Sequence, residues 1–175
     1  MNLVISFSGR KNGNCDSIAN FIKTDTDQLL FLRDLDIHSC ANCNYECFTG
    51  ECRFRTDDVY GIYESMLVYE KVFLIVPMYC GNPCSLYFAF HERSQDYFMH
   101  NETYDKILPR LYIIGIYGSA EETPEFVPSL EKWFQNTAYR NHVLGIQRHL
   151  LGHQLNQCVL DDPEIRTQLM NFLHS

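Results

Sequence analysis

Apolar residues along the chain fall in short continuous runs, separated by stretches where they recur at helical intervals. Leu3 to Phe7 is the first run, Leu29 to Leu32 a weaker second, and Val72 to Val76 the third and most apolar. Leu111 to Ile116 and His142 to Ile146 complete the series. Short apolar runs bounded by turn residues predict buried strands. Asp16 to Lys23 predicts a helix with Ile18, Ala19 and Ile22 on one face. Thr56 is expected to cap a helix from Asp57 to about Tyr69, with Asp57 and Asp58 at its positive end. An aromatic-rich helix is expected from about Ser85 to Asp96. Thr123-Pro124 reads as a helix start, followed by Phe126, Val127, Leu130, Trp133 and Phe134 on one face. Asp162-Pro163 opens a last helix that turns Ile165, Leu169, Phe172 and Leu173 inward. The segments 38–55 and 77–83 read as loops.

Strand and helix therefore alternate five times. Such alternation implies a parallel sheet covered by helices on both faces. Right-handed crossovers and five strands favour the order 2-1-3-4-5, an α/β three-layer sandwich. A chain of 175 residues suits a single domain spanning 1–175. In such sheets ligands bind beyond the carboxyl ends of the strands, where the winding direction switches. The residues at those ends carry the functional reading.

Charge narrows the classes. The net charge of −8 argues against a general nucleic-acid binder, which needs a basic footprint. An anionic ligand stays open, because a local pocket can be positive on an acidic protein. Met1 to Phe7 carries no basic leader, and Val72 to Val76 is too short to cross a bilayer, so no membrane partner is expected. The expectation is a soluble, cytoplasmic protein. Its eight cysteines then point to metal or redox chemistry rather than to structural disulfides.

Three strand ends carry ligand-competent loops. After the first strand comes Ser8-Gly9-Arg10-Lys11-Asn12-Gly13-Asn14-Cys15, small and polar, running into a helix. Backbone amides and a helix N-terminus there suit an anion, and Arg10 adds a charge-assisted donor. No Gly-Lys-Ser/Thr follows, and glycines stand only at 9 and 13, so neither a Walker loop nor a dinucleotide fingerprint is present. After the third strand comes Pro77-Met78-Tyr79-Cys80-Gly81-Asn82-Pro83-Cys84, which suits a flat polar ring. After the fourth comes Tyr117-Gly118-Ser119-Ala120.

Ser8 to Asn14 resembles the phosphate loop of the NADPH-dependent FMN reductase family, which has a flavodoxin-like fold. Pro77 to Asn82 resembles its isoalloxazine loop, and Glu92-Arg93 the acidic-Arg pair that follows. The resemblance spans roughly residues 3 to 120 and implies FMN as cofactor. It implies that Ser8, Arg10, Asn12, Asn14 and Cys15 surround the phosphate. Pro77, Met78, Tyr79, Gly81 and Asn82 would hold the ring, with Gly118 on a third loop. Cys15 stands where a hydroxyl residue is usual, and Cys80 where a larger side chain is common.

Cys40, Cys43, Cys47 and Cys52 form C-x2-C-x3-C-x4-C. A [4Fe–4S] cluster takes four such ligands from a compact loop, while a structural zinc site usually takes two C-x2-C pairs set further apart. With a single C-x2-C pair, iron–sulfur fits better. The motif is similar to that of the iron–sulfur flavoprotein branch of the same family, with one more residue between its second and third cysteines. Three functions follow. The first is an FMN-dependent oxidoreductase that exchanges electrons with a [4Fe–4S] cluster and draws them from NAD(P)H or ferredoxin. The second is an NAD(P)H-dependent FMN or quinone reductase without a cluster. The third is a non-enzymatic redox-sensing or zinc-stabilised binding module. The aromatics Tyr87, Phe88, Phe90, Tyr97 and Phe98 spread around more than one helix face and predict an exposed patch at a homodimer or homotetramer interface.

Overall fold

A computed structural model of the chain describes residues 1–41, 43–118, 139–148 and 157–174. Five parallel strands, β1 (Leu3–Ser6), β2 (Gln28–Phe31), β3 (Val72–Tyr79), β5 (Leu111–Gly118) and β6 (Val143–Arg148), lie in the order β2-β1-β3-β5-β6. A two-residue strand, β4 (Asn82–Pro83), folds back antiparallel on β3. With β4 set aside, the order is the 2-1-3-4-5 expected, and the fold is the flavodoxin-like α/β sandwich.

Helices cover both faces. On one, α1 (Asn14–Ile22) and α7 (Pro163–Leu173) bury Ile18, Ala19, Ile165 and Leu169 against Val4, Ile75 and Ile114. On the other, α3 (Asp58–Met66) and α4 (Ser85–Glu92) pack Ile62, Tyr63, Met66 and Phe90 against Leu3, Ile5, Leu74 and Ile113. Strands buried on both faces explain why the runs at β1, β3 and β5 are continuously apolar rather than alternating.

Several boundaries differ from the sequence expectation, each for a local reason. The cap of α3 is Asp57, not Thr56: its carboxylate accepts from Val59 N at 3.1 Å, a stronger cap than a hydroxyl, and the helix ends at Met66. β3 runs through Pro77, since its carbonyl still accepts from Cys84 N at 3.1 Å while its missing amide breaks one ladder position. The expected helix over 85–96 is two helices, α4 and α5 (Ser94–His100), which meet at Arg93. The 38–55 loop contains one helical turn, α2 (Glu46–Thr49), and a further turn, α6 (Tyr104–Ile107), precedes β5. The helix expected from Thr123-Pro124 and the residues Ser119 and Ala120 lie outside the described residues.

The aromatic stretch does not form an exposed patch. Tyr87, Phe90 and Tyr97 are buried, and Tyr63 stacks on both Phe90 and Tyr97 with centroids 4.6 and 4.9 Å away. Phe98 packs on the same cluster, which leaves Phe88 at 44% exposure. The rings spread around α4 and α5 because these helices meet the sheet on one side and Tyr63 of the neighbouring α3 on another, and both sides need filling.

Among the described residues no helix is long and apolar enough to cross a membrane.

Candidate functional site

The loops that follow β1 and β3, and the end of β5 at Gly118, lie at the same edge of three adjacent strands. The winding direction changes between β1 and β3, which makes this edge the ligand position of such sheets.

The loop 8–13 is built around two side chains. The Ser8 hydroxyl accepts from Arg10 N and donates to Arg10 O, both at 3.1 Å. Asp16, in the first turn of α1, reaches back under the loop. It accepts from Asn12 N at 2.8 Å, from the Ser6 hydroxyl at 3.0 Å and from Arg33 Nη1 at 2.9 Å. The tight return this demands puts Asn12 at φ +56°, a left-handed conformation that asparagine tolerates. Arg33 also donates to Ser8 O at 3.1 Å, so one guanidinium from the turn after β2 braces both ends of the loop.

Helix α1 then starts at Gly13 with no side-chain cap. Its first amides are left to solvent or to a ligand, with the positive end of the helix behind them. A Cβ built on Gly13 would lie 3.6 Å from Arg10 Cδ, so the exposed Arg10 chain runs over the helix start. An uncapped N-terminus beside a cation is an anion cradle. Not every residue expected around the phosphate faces it. Asn14 Oδ1 accepts from Val159 N at 3.1 Å and so ties α1 to the segment before α7. Cys15 is buried beneath the loop, where burial, then the neighbouring Cys84 and Asp16, push its thiol up to about 12. It stays a neutral thiol.

The expected ring loop is a hairpin. Tyr79 pairs with Asn82, and the two residues between them, Cys80 and Gly81, have φ of +50° and +79°. Positive φ at both central positions is the type I′ turn, whose twist matches the flanking strands. Asn82 Nδ2 donates to Cys80 O at 3.0 Å and closes the turn. Pro77 and Met78 belong to the buried strand, while Tyr79 stands out at 58% exposure. Its hydroxyl is pushed up mainly by burial and then by Cys15 and Cys84, and Arg10 opposes this. Cys84 anchors the returning arm: it caps α4, and its thiol donates to Phe7 O at 3.2 Å. Gly118 closes the third edge at the end of β5, exposed.

The cysteine loop is tied off at its neck. His38 and Phe54 stack with centroids 4.7 Å apart, and the buried Arg93 donates to His38 O at 3.2 Å, Phe54 O at 2.9 Å and Asp57 at 2.7 Å. Glu92 accepts from Cys40 N at 3.0 Å, so Glu92 and Arg93 serve this loop. Within it the four cysteines are free thiols. Burial is the first cause that pushes Cys40 and Cys47 up, and Cys43 and Cys52 add to it in both. They are neighbours, yet among the described residues no group of three or more His, Cys, Asp or Glu is arranged to hold a metal ion.

Two residues that sequence reading missed, Asp16 and Arg33, organise the anion loop. Asp16 was visible only as a first-turn acid, and Arg33 lies on another strand's exit.

No family model and no curated protein matches the chain. Solved structures do. A Trp repressor binding protein from Bacillus subtilis superposes with a TM-score of 0.64 at 13% identity, over 99% of this chain and 97% of that one. An FMN-dependent NADH-azoreductase from Bacillus anthracis, in complex with FMN, gives 0.59 at 8% identity, over 99% and 96%. An NADH:FMN oxidoreductase in its apo form gives 0.53 at 14%, over 99% and 86%. At these identities the likeness is one of fold, and the fold is the flavodoxin-like α/β sandwich.

Proposed function

We propose that this chain is an FMN-dependent NAD(P)H oxidoreductase that reduces a quinone or a flavin, its whole length forming one FMN-binding domain. The observation that carries the reading is the anion cradle: an uncapped α1 with Arg10 across its start, at the sheet's switch point. The hairpin of Tyr79 to Asn82 at the next strand end gives a flat ring a rigid wall. The FMN-bound azoreductase of the same fold supports this choice of ligand.

FMN, when bound, supplies a ring that accepts a hydride and passes electrons on. The residues of this chain do the rest. Arg10 and the first amides of α1 neutralise the phosphate, while Ser8, Asn12, Asp16 and Arg33 hold the loop in its binding shape. Pro77, Met78, Tyr79, Gly81 and Asn82 set the ring's plane, and Gly118 leaves room at its third edge. Cys15, neutral and beneath the loop, fills space without adding a charge. No residue of the chain is assigned acid–base work. The 40–52 cysteines stand outside this mechanism as free thiols. NAD(P)H as donor follows from the sequence resemblance; the cytoplasm as location and a homodimer or homotetramer as assembly belong to the same reading, the assembly now without the aromatic patch that suggested it. Sedimentation tests the last.

The deciding experiment titrates purified chain with FMN, FAD and riboflavin and follows the quenching of flavin fluorescence. FMN should bind tightest. Arg10→Glu should weaken FMN by ten- to a hundred-fold, since a charge-assisted hydrogen bond is worth about 1.5–3 kcal/mol, and should leave riboflavin unchanged. Riboflavin binding as well as FMN would overturn the phosphate assignment. Absence of flavin-dependent NAD(P)H oxidation with any quinone or flavin acceptor would overturn the activity.

A further inference from the structure

A cavity of about 490 Å³ lies between α3, α4, α5, α6 and the sheet. None of the residues around it comes from the 8–15 loop, the Tyr79 hairpin or Gly118. Its floor is aliphatic, from Leu74 and Ile113 on the sheet and Met66 on α3. Its walls are rings, chiefly Tyr63, Phe90 and Phe98, and Phe88 stands half-exposed at the edge. Among the described residues no Asp, Glu, Lys or Arg lines it.

We propose that this cavity is a second ligand site, separate from the flavin loops, for an uncharged planar molecule of two or three aromatic rings. Size supports it, because small-molecule sites run from about 300 to 1,000 Å³. Chemistry supports it too. A charged ligand would leave water for walls whose described residues offer no counter-charge, at a large cost. Five lining side chains carry a polar group, Tyr63, Tyr87, His91, Ser94 and Tyr104, and none of them is formally charged. The Tyr63 hydroxyl is spent on Phe90 O at 3.2 Å, and it also engages the Ser94 side chain. His91 stacks on Tyr87 with centroids 5.5 Å apart, and burial holds its imidazole below the usual range, hence neutral. A neutral imidazole among tyrosine and serine hydroxyls suits one or two hydroxyl or carbonyl groups on an otherwise apolar ring system. Largely apolar cavities take up aromatic molecules. Edge and face contacts with the surrounding rings favour a flat aromatic over an aliphatic chain.

The test titrates the full chain with N-phenylnaphthylamine, an uncharged aromatic dye whose fluorescence rises in apolar surroundings. One dye should bind per chain, saturably, and excess FMN should not displace it. Ile113→Phe fills the floor and Ser94→Phe fills a wall. Each variant that keeps the wild-type circular dichroism should bind the dye at least tenfold more weakly. Tyr79→Ser, on the hairpin, should leave dye binding unchanged. Failure to saturate, unchanged binding in both folded filled variants, displacement by FMN, or loss of binding in Tyr79→Ser would each overturn the proposal. Because the dye is read without flavin, failure here is distinguishable from failure of the FMN reading.

Discussion

Replacing Arg33 with Met tests whether the anion loop is held by a buried ion pair or merely decorated by one. The pair is well enclosed, with Arg33 Nη1 2.9 Å from Asp16 Oδ1 and side chains 11% and 6% exposed. Arg33→Met keeps an unbranched apolar stem and removes the charge. Leaving one partner of a buried pair uncompensated costs about 3–5 kcal/mol. Two features lower that figure. Asp16 keeps its bonds from the Ser6 hydroxyl and Asn12 N. Arg33 Nε is buried without a hydrogen bond, so its removal also relieves a penalty. A net loss of about 2–4 kcal/mol follows, or a fall in Tm of roughly 5–15 °C at this chain length. The double variant Arg33→Met, Asp16→Asn removes the stranded charge and should recover about 1–2 kcal/mol of the loss. Urea unfolding of the wild type, both single variants and the double measures all four corners. A single-variant cost below 1 kcal/mol, or a double variant less stable than Arg33→Met alone, would refute the account.

Two other substitutions probe the same edge of the sheet. The buried Cys15 thiol, pushed up from the ordinary 9.0 to about 12, stays protonated in the fold at a pH where the unfolded chain has lost that proton. Its contribution is complete below pH 9 and is lost as pH rises from about 9 to 12, up to about 4 kcal/mol. Cys15→Ala should flatten that decline in a urea series across the same range, and an unchanged slope would show that the thiol does not carry it. Cys80 occupies a left-handed position that costs an L-residue about 1–2 kcal/mol, and Asn-Gly is the favoured pair for this turn. Cys80→Asn should therefore raise stability by about 0.5–1 kcal/mol, and a lower Tm would contradict the type I′ assignment.

How far the sequence alone reaches depends on whether the information is local. β1, β3 and β5 were legible because strands buried on both faces must be apolar at every position. Their order follows, since crossover handedness leaves few alternatives for five alternating units. The glycine-punctuated loops at 8–13 and 79–82 were legible as turns for the same local reason. What holds those turns was not. Nothing in Asp16 announces that it folds under its own loop, or that its partner is Arg33 on the exit of a neighbouring strand. The aromatic stretch failed for a related reason. Periodicity shows that a helix has two apolar sides, but only the fold shows that α3 stands on the second.

The cysteine motif makes the point most sharply. Spacing measures how far apart four thiols can be, whereas a metal requires them to converge. Convergence here is governed by the neck, where Arg93 gathers His38 O, Phe54 O and Asp57 while His38 stacks on Phe54. That neck fixes where the chain enters and leaves the loop, and the turn between holds Cys43 and Cys47. Inside that turn the backbone is directed by its own contacts: Asn44 and Tyr45 both adopt positive φ, Glu46 pairs with Arg53, and His100 engages Cys47 O at 3.0 Å. The Glu46–Arg53 pair and the Cys47 contact depend on residues outside the motif, so the spacing that identifies the motif does not determine where its sulfurs point.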